Sequence, residues 1–271
     1  MLHSNRPFLF LILLGLLGCS ASEDAETVSP EAERQAFMNS VAGRYAHFDI
    51  VAYEDVIMDM EMFSLVVTYG FTTLEVVDNE LVSTDRFCHA DMPSNLDIEN
   101  VVSDALTQAI VPKSVTVSVL QDGDRWGYHR PETPTPLGIE MEDVNVPLPT
   151  DATDPRIVDA DGDGKPGVTA KLILFGADEA EIYMIRKEVF AYTLYQQDDA
   201  SFTGVVEDRS EQVVIGADPI WLNVPSNPEQ HADLTYSPIR LIPLTEGEDE
   251  YGCEDLLRDA PTLFPEPVIF W

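Results

Sequence analysis

The sequence predicts a mainly β protein: a single antiparallel β-barrel or sandwich with one or two short helices. Three observations lead there. Runs rich in β-branched and aromatic residues recur along residues 37–271 with period-two alternation, bounded by Gly, Pro, Asp or Asn. One segment alone, 94–111, repeats its apolar residues at helical spacing. The chain is 45% hydrophobic, enough for one sizeable core, and no repeat or second boundary divides it. A closed barrel is the preferred form because it leaves no free strand edges.

The elements follow in chain order. Arg6 gives a positive start, and 8–17 is an apolar run of signal-peptide length, too short to span a bilayer as a helix. Leu16-Leu17-Gly18-Cys19 closes that run. It resembles the bacterial lipobox, which implies removal of residues 1–18 and a diacylglycerol on Cys19, and Ser20 resembles the form sent to an outer membrane. Several acyl chains anchor tightly, since each buried CH₂ contributes about 0.8 kcal/mol. Residues 19–36, with Glu23, Asp24, Glu26, Pro30, Glu31 and Glu33, read as a lipidated cysteine and an acidic, flexible tether.

Within the body, 46–53 and 58–62 alternate with period two, and Met58, Met60 and Met62 fall opposite Asp59 and Glu61. Strands are predicted at 65–69, 73–77 and 81–87, with Asp78-Asn79 as a tight hairpin turn. The helical segment 94–111 stops at Pro112. Further strands are expected at 114–120, 168–175, 181–194, 202–207, 212–215 and 234–244.

Charge excludes one class of partner. Lysine and arginine number 15 against 49 acidic residues, a formal net charge of −34, and such a field repels phosphate backbones, so no nucleic-acid partner is expected. With Cys19 lipidated, Cys88 and Cys253 are the remaining thiols, and an oxidising exterior favours their pairing as a disulfide.

One stretch carries recognisable chemistry. Asp159-Ala160-Asp161-Gly162-Asp163-Gly164-Lys165-Pro166-Gly167 resembles the D-x-D-x-D-G calcium loops of EF-hands, dockerins and thrombospondin type 3 repeats. Calcium wants six to eight oxygens at once, and carboxylates at alternate positions converge where a glycine lets the chain turn sharply. Asp159, Asp161 and Asp163 would give side-chain oxygens and Lys165 its carbonyl. The position of the bidentate EF-hand glutamate is Ala170, so the loop at 159–167 needs water or a distant carboxylate, with Asp151, Asp154, Asp178 and Glu179 as candidates. Few fixed ligands imply weak, structural Ca²⁺ binding.

The wider pattern includes Gly43-Arg44-Tyr45, Cys88, Trp126-Gly127-Tyr128, the aspartate loop and a late cysteine. It resembles uncharacterised secreted lipoproteins of myxobacterial type, which implies an extracytoplasmic, lipid-anchored protein, on the outer membrane by Ser20, but no activity. Gly43-Arg44-Tyr45 also resembles the Gly-x-Trp opening of lipocalins, with Tyr45 in place of tryptophan. The first functional expectation is a monomeric, non-enzymatic module for a protein or small-molecule ligand, with Trp126, Tyr128 and Trp221 as candidate surface aromatics. The second is an extracellular hydrolase. No H-E-x-x-H or G-x-S-x-G motif supports it, although His47 with Asp49 and His89 with Asp91 each share a strand face. The third is a structural or adhesive envelope component.

Overall fold

The computed structural model describes residues 29–96, 98–101, 107, 110–174, 176, 178–245 and 251–271. The signal peptide, Cys19 and the first part of the predicted tether lie outside the described residues.

The first described element is a helix, α1 (Pro30–Val41). Its Ser29 cap accepts a hydrogen bond from Ala32 N at 3.2 Å, Pro30 opens the first turn, and Glu31 and Glu33 meet the positive end of the helix dipole. Residues 30–36 are therefore not tether. The same acidic residues that resemble a solvated linker are first-turn helix charges, and Phe37, Met38 and Val41 bury the other face.

Fourteen strands follow among the described residues. They are β1 (Gly43–Ile57), β2 (Met60–Val77), β3 (Glu80–Asp91), β4 (Ile98–Val101), β5 (Ser114–Asp122), β6 (Arg125–Arg130) and β7 (Thr135–Leu137). The rest are β8 (Val168–Leu174), β9 (Asp178–Glu188), β10 (Phe190–Gln196), β11 (Phe202–Asp208), β12 (Glu211–Asp218), β13 (Glu229–Gln230) and β14 (Pro238–Pro243). Eight of them close an antiparallel barrel in the order β1, β14, β11, β10, β6, β5, β3, β2, with β2 returning to β1. The predicted fold class and the preference for closure are thus correct. Strands β12, β9, β8 and β4, with β7 beside β9, make a second sheet.

Local chemistry explains where the expected strands hold and where they fail. Asp78 and Asn79 both take positive φ, 49° and 67°, and form the predicted β2–β3 hairpin turn. Met58 and Asp59 do the same at 50° and 64°, so 58–62 is not one strand but the β1–β2 turn and the start of β2. The predicted strand 181–194 is two strands in different sheets. The chain turns at Val189, whose N–H donates to Ser210 Oγ and whose carbonyl accepts from Arg209 N. Within 234–244, Leu234–Tyr236 is a 3₁₀ turn capped by Asp233, and β14 begins at Pro238. The predicted helix 94–111 is overturned at Ile98–Val101, which pairs with β8 as a strand, while 102–106 and 108–109 lie outside the described residues.

Two unanticipated elements complete the body. Strand β6 passes so close to β10 that a Cβ at Gly127 would stand 2.1 Å from Leu194 O, which makes glycine obligatory there. Helix α2 (Cys253–Leu263) starts where Asp255 accepts from Gly252 N at 3.0 Å. Its Leu256 and Ala260, with Phe264 just beyond, pack on Ala46, Phe48, Ile50 and Leu65 on the outer face of β1 and β2. The disulfide Cys88–Cys253, expected from cysteine arithmetic, pins the first residue of α2 to β3.

Candidate ligand cavity and aspartate loop

Alternation along β1 sends Phe48, Ile50 and Ala52 outward to α2 and sends Tyr45, His47, Asp49, Val51 and Tyr53 the other way. Part of the barrel interior is solid. Phe37, Met38 and Val41 of α1 join Tyr45, Tyr128, Leu194 and Phe202 in one cluster, and Phe37 stacks on Trp126 at 5.3 Å. Tyr128 is therefore a core residue and Trp126 is half-buried against that core, rather than the two forming a surface patch. Of the three predicted surface aromatics, Trp221 is the exposed one.

Beside this core sits a buried polar layer built from five strands, β1, β2, β3, β6 and β10. His47 Nε2 lies 2.7 Å from Asp49 Oδ2 and its Nδ1 lies 2.7 Å from Thr72 Oγ1. Thr72 Oγ1 donates its one hydrogen to Asp85 Oδ1 at 2.7 Å, so it can only accept from His47 Nδ1, and Asp49 can only accept from Nε2. Both ring nitrogens then carry hydrogen and His47 is an imidazolium. Burial pushes its pKa down, but the hydrogen bond and charge of Asp49, with the charge of Asp85, raise it above the ordinary value. Arg130 places Nε 3.0 Å from Asp85 Oδ2 as an ion pair and lies over the Phe190 ring at 4.7 Å. Tyr192 donates to Asp85 at 3.1 Å, with burial holding its pKa well above the usual phenol range. Two positive and two negative groups thus balance inside the barrel.

Next to the polar layer is a cavity of about 350 Å³ that lies between the barrel interior and the second sheet and is partly open to solvent. Barrel strands line it with Val51, Tyr53, Val66, Phe87 and Ile239, and the second sheet with Ala170, Leu172, Ile182, Met184 and Val214. The volume lies within the range of small-molecule pockets. Toward β9 a second charged group faces it: Arg186 Nε donates to Glu188 at 2.6 Å and Arg186 Nη2 to Tyr53 Oη at 3.2 Å. Burial and then the nearby Glu188 charge raise the pKa of Asp208.

The predicted histidine pairs are both present. His89 Nε2 lies 3.0 Å from Asp91 Oδ1, half-exposed on β3. In the cavity, His47 has both nitrogens committed, so it offers no free base to a substrate. Asp85, Arg130, Thr72 and Tyr192 were not singled out from sequence. Their positions carry no signal of their own, since β3 and β6 hold several other polar residues, and the cluster is legible only once cross-strand register is known.

The aspartate loop lies at the start of β8. Carboxylate oxygens of Asp159, Asp161 and Asp163 fall within 4.8 Å of one another, the one such acidic group of three among the described residues. Asp159 accepts from Gly162 N at 2.7 Å and Gly164 N at 2.9 Å, which wraps the loop around it. Gly162 and Gly164 take φ of 74° and 84°, the turn that the loop requires. Thr169 ties the loop to β8 by donating N–H to Asp161 at 2.8 Å and Oγ1–H to Asp163 at 2.6 Å. The Thr169 bond, above all, holds the Asp163 carboxyl below its ordinary pKa. Lys165 N donates to Asp163, while its Nζ sits 5.1 Å from the Tyr183 ring centre. The candidate distant ligands are elsewhere: Asp151 accepts from Thr153, and Asp154 pairs with Arg156 through both oxygens, which draws its pKa down to about 2. Glu179 stands on β9 opposite Ile173, away from the loop, and the side chain of Asp178 lies outside the described residues.

No protein-family model, curated protein or solved structure matches the chain.

Proposed function

We propose that this chain is a lipid-anchored, extracytoplasmic binding protein that holds a small, largely apolar molecule in the cavity between barrel and second sheet. The observation that carries the reading is that cavity: about 350 Å³, walled by apolar side chains of both sheets, with hydrogen-bonded polar groups at defined points. A simple structural component of the envelope would gain stability from filling this space, since an unfilled apolar volume costs packing energy. The hydrolase reading is weaker because His47 is doubly engaged and the hydroxyl beside it, Thr72 Oγ1, accepts from His47 and gives its hydrogen to Asp85, so no free base activates it.

Anchoring by Cys19 to the outer membrane rests on the lipobox sequence, and the Cys88–Cys253 bond is in keeping with an oxidising compartment. Calcium at Asp159, Asp161 and Asp163, with the Lys165 carbonyl, completes the proposal. All three carboxylates already fold the loop through its own N–H and O–H groups; Asp159 Oδ1 accepts twice, while Asp159 Oδ2, Asp161 Oδ2 and both Asp163 oxygens accept once each and keep a second lone pair for a hard cation. Its role there is to staple the loop to β8, part of the cavity wall.

Uptake of the neutral apolar dye N-phenylnaphthylamine tests the reading. The wild-type chain should bind it saturably, and Ala170→Trp, which puts an indole into the space from β8, should abolish uptake without unfolding. Equal uptake by both proteins contradicts the cavity as the site.

A further inference from the structure

We propose that the ligand of this cavity ends in a hydrogen-bond donor, an ammonium or a hydroxyl, and that a carboxylate or phosphate end is rejected. The inference rests on the reading of the cavity as a small-molecule site and names the chemistry of its occupant.

The buried cations that face the space are already matched. His47 is held by Asp49, Arg130 by Asp85 and Arg186 by Glu188. Acceptors outnumber unmet donors: among the described residues, Arg130 Nε is the one buried side-chain donor on the lining without a hydrogen bond, and it stands 3.0 Å from Asp85 Oδ2 in an ion pair. Among the described residues, Asp208 faces the cavity with only Ser210 hydrogen-bonded to its carboxylate, and Ser210 Oγ divides its single hydrogen between Asp208 Oδ2 at 2.8 Å and Glu188 Oε2 at 3.1 Å. Asp49 spends Oδ2 on His47, and no hydrogen bond occupies its Oδ1 among the described residues. Asn100 Oδ1, on β4, is buried without a partner among the described residues. An ionised carboxylate has about four lone-pair sites and no hydrogen to give, and an amide oxygen has two lone pairs, so the two aspartates and Asn100 Oδ1 ask for donors.

Residues 102–106 and 108–109, outside the described residues, contain no Lys, Arg or His by sequence and so cannot supply a cation. Lys113 is the remaining cation on the lining. It is exposed, and its Nζ donates to Pro134 O at 3.1 Å and Thr135 Oγ1 at 3.0 Å, where water screens its charge. An anionic end would enter beside Asp208 with no unmatched buried cation to receive it, and it would leave Asn100 Oδ1 unpaired. A donor end relieves both. The net charge of −34 acts in the same direction at long range, concentrating cations around the protein and repelling anions.

Displacement of N-phenylnaphthylamine from the full chain by dodecylamine, dodecanol and dodecanoate, each below its micellar concentration or solubility limit, tests this without any variant. The amine and the alcohol should displace the dye, and dodecanoate should be at least ~10-fold weaker, about the effect of one lost charge-assisted hydrogen bond. Asp208→Asn should weaken the amine and leave the alcohol nearly unchanged. Dodecanoate binding as tightly as the amine, or tight binding abolished by Lys113→Ala, overturns the donor-end inference while leaving the cavity reading intact. Failure of all three ligands and of the dye to bind, with Ala170→Trp indistinguishable from wild type, overturns the cavity reading itself.

Discussion

Opening the Cys88–Cys253 bond should cost the fold a large part of its stability, and the structure allows that cost to be worked out. The bond joins residues 165 positions apart, so it constrains most of the body in the unfolded chain. In the chain-entropy treatment a loop of this size is worth about 5 kcal/mol, against a total stability of about 5–15 kcal/mol for a typical domain. For a chain of this size each kcal/mol moves Tm by about 2–4 °C, so the expected drop is about 10–20 °C. Part of the native packing of α2 survives reduction, because Leu256, Ala260 and Phe264 remain against Phe48 and Leu65, with the Phe48 and Phe264 rings 5.1 Å apart. The assay is a pair of calorimetric melts of wild type, oxidised and reduced, alongside Cys88→Ala/Cys253→Ala. Cys88 is fully buried, so the alanine variant adds a small cavity penalty that the reduced wild type lacks. A reduced protein melting within about 2 °C of the oxidised one would refute the entropic reasoning.

Three further outcomes follow from the same geometry. At calcium ten times its Kd, the loop should gain about 1.4 kcal/mol, a rise in Tm of about 3–6 °C that chelator reverses and Asp161→Ala abolishes; a wild-type melt indifferent to calcium removes the metal from the account. The folded-state pKa of His47 is raised, so its stabilising contribution is complete below the unfolded value and is lost as pH climbs through the folded one. Wild type should therefore lose stability toward alkaline pH relative to His47→Gln, and parallel pH profiles for the two would show that His47 is not an imidazolium. Palmitate should label the exported protein and not Cys19→Ala; label on both would place the acyl chain elsewhere.

Much of the barrel was legible because its signals are local. Asp78-Asn79 announces a two-residue turn whatever surrounds it, and the runs at 65–69 and 81–87 alternate where one face is buried. The errors arise where tertiary context decides. Glu31 and Glu33 look alike in a solvated linker and in the first turn of a helix, and the Ser29 cap with Phe37 and Val41 against the barrel makes the difference. Nothing between 181 and 194 marks a break, because the change of sheet at Val189 is made by hydrogen bonds with Arg209 N and Ser210 Oγ rather than by a turn residue. The aspartate loop and the disulfide were visible because spacing and cysteine count carry them. The cavity was not, since it exists only between two sheets whose facing sides come from residues as distant as Val51 and Leu172.

Calorimetric titration of dodecanol into wild type and Ala170→Trp tests the central claim most directly. The account predicts saturable one-to-one binding to wild type with a negative ΔCp, the mark of apolar burial, and no binding heat with Ala170→Trp. Absence of binding heat in wild type across temperatures, or an unchanged isotherm with the cavity filled, would contradict it.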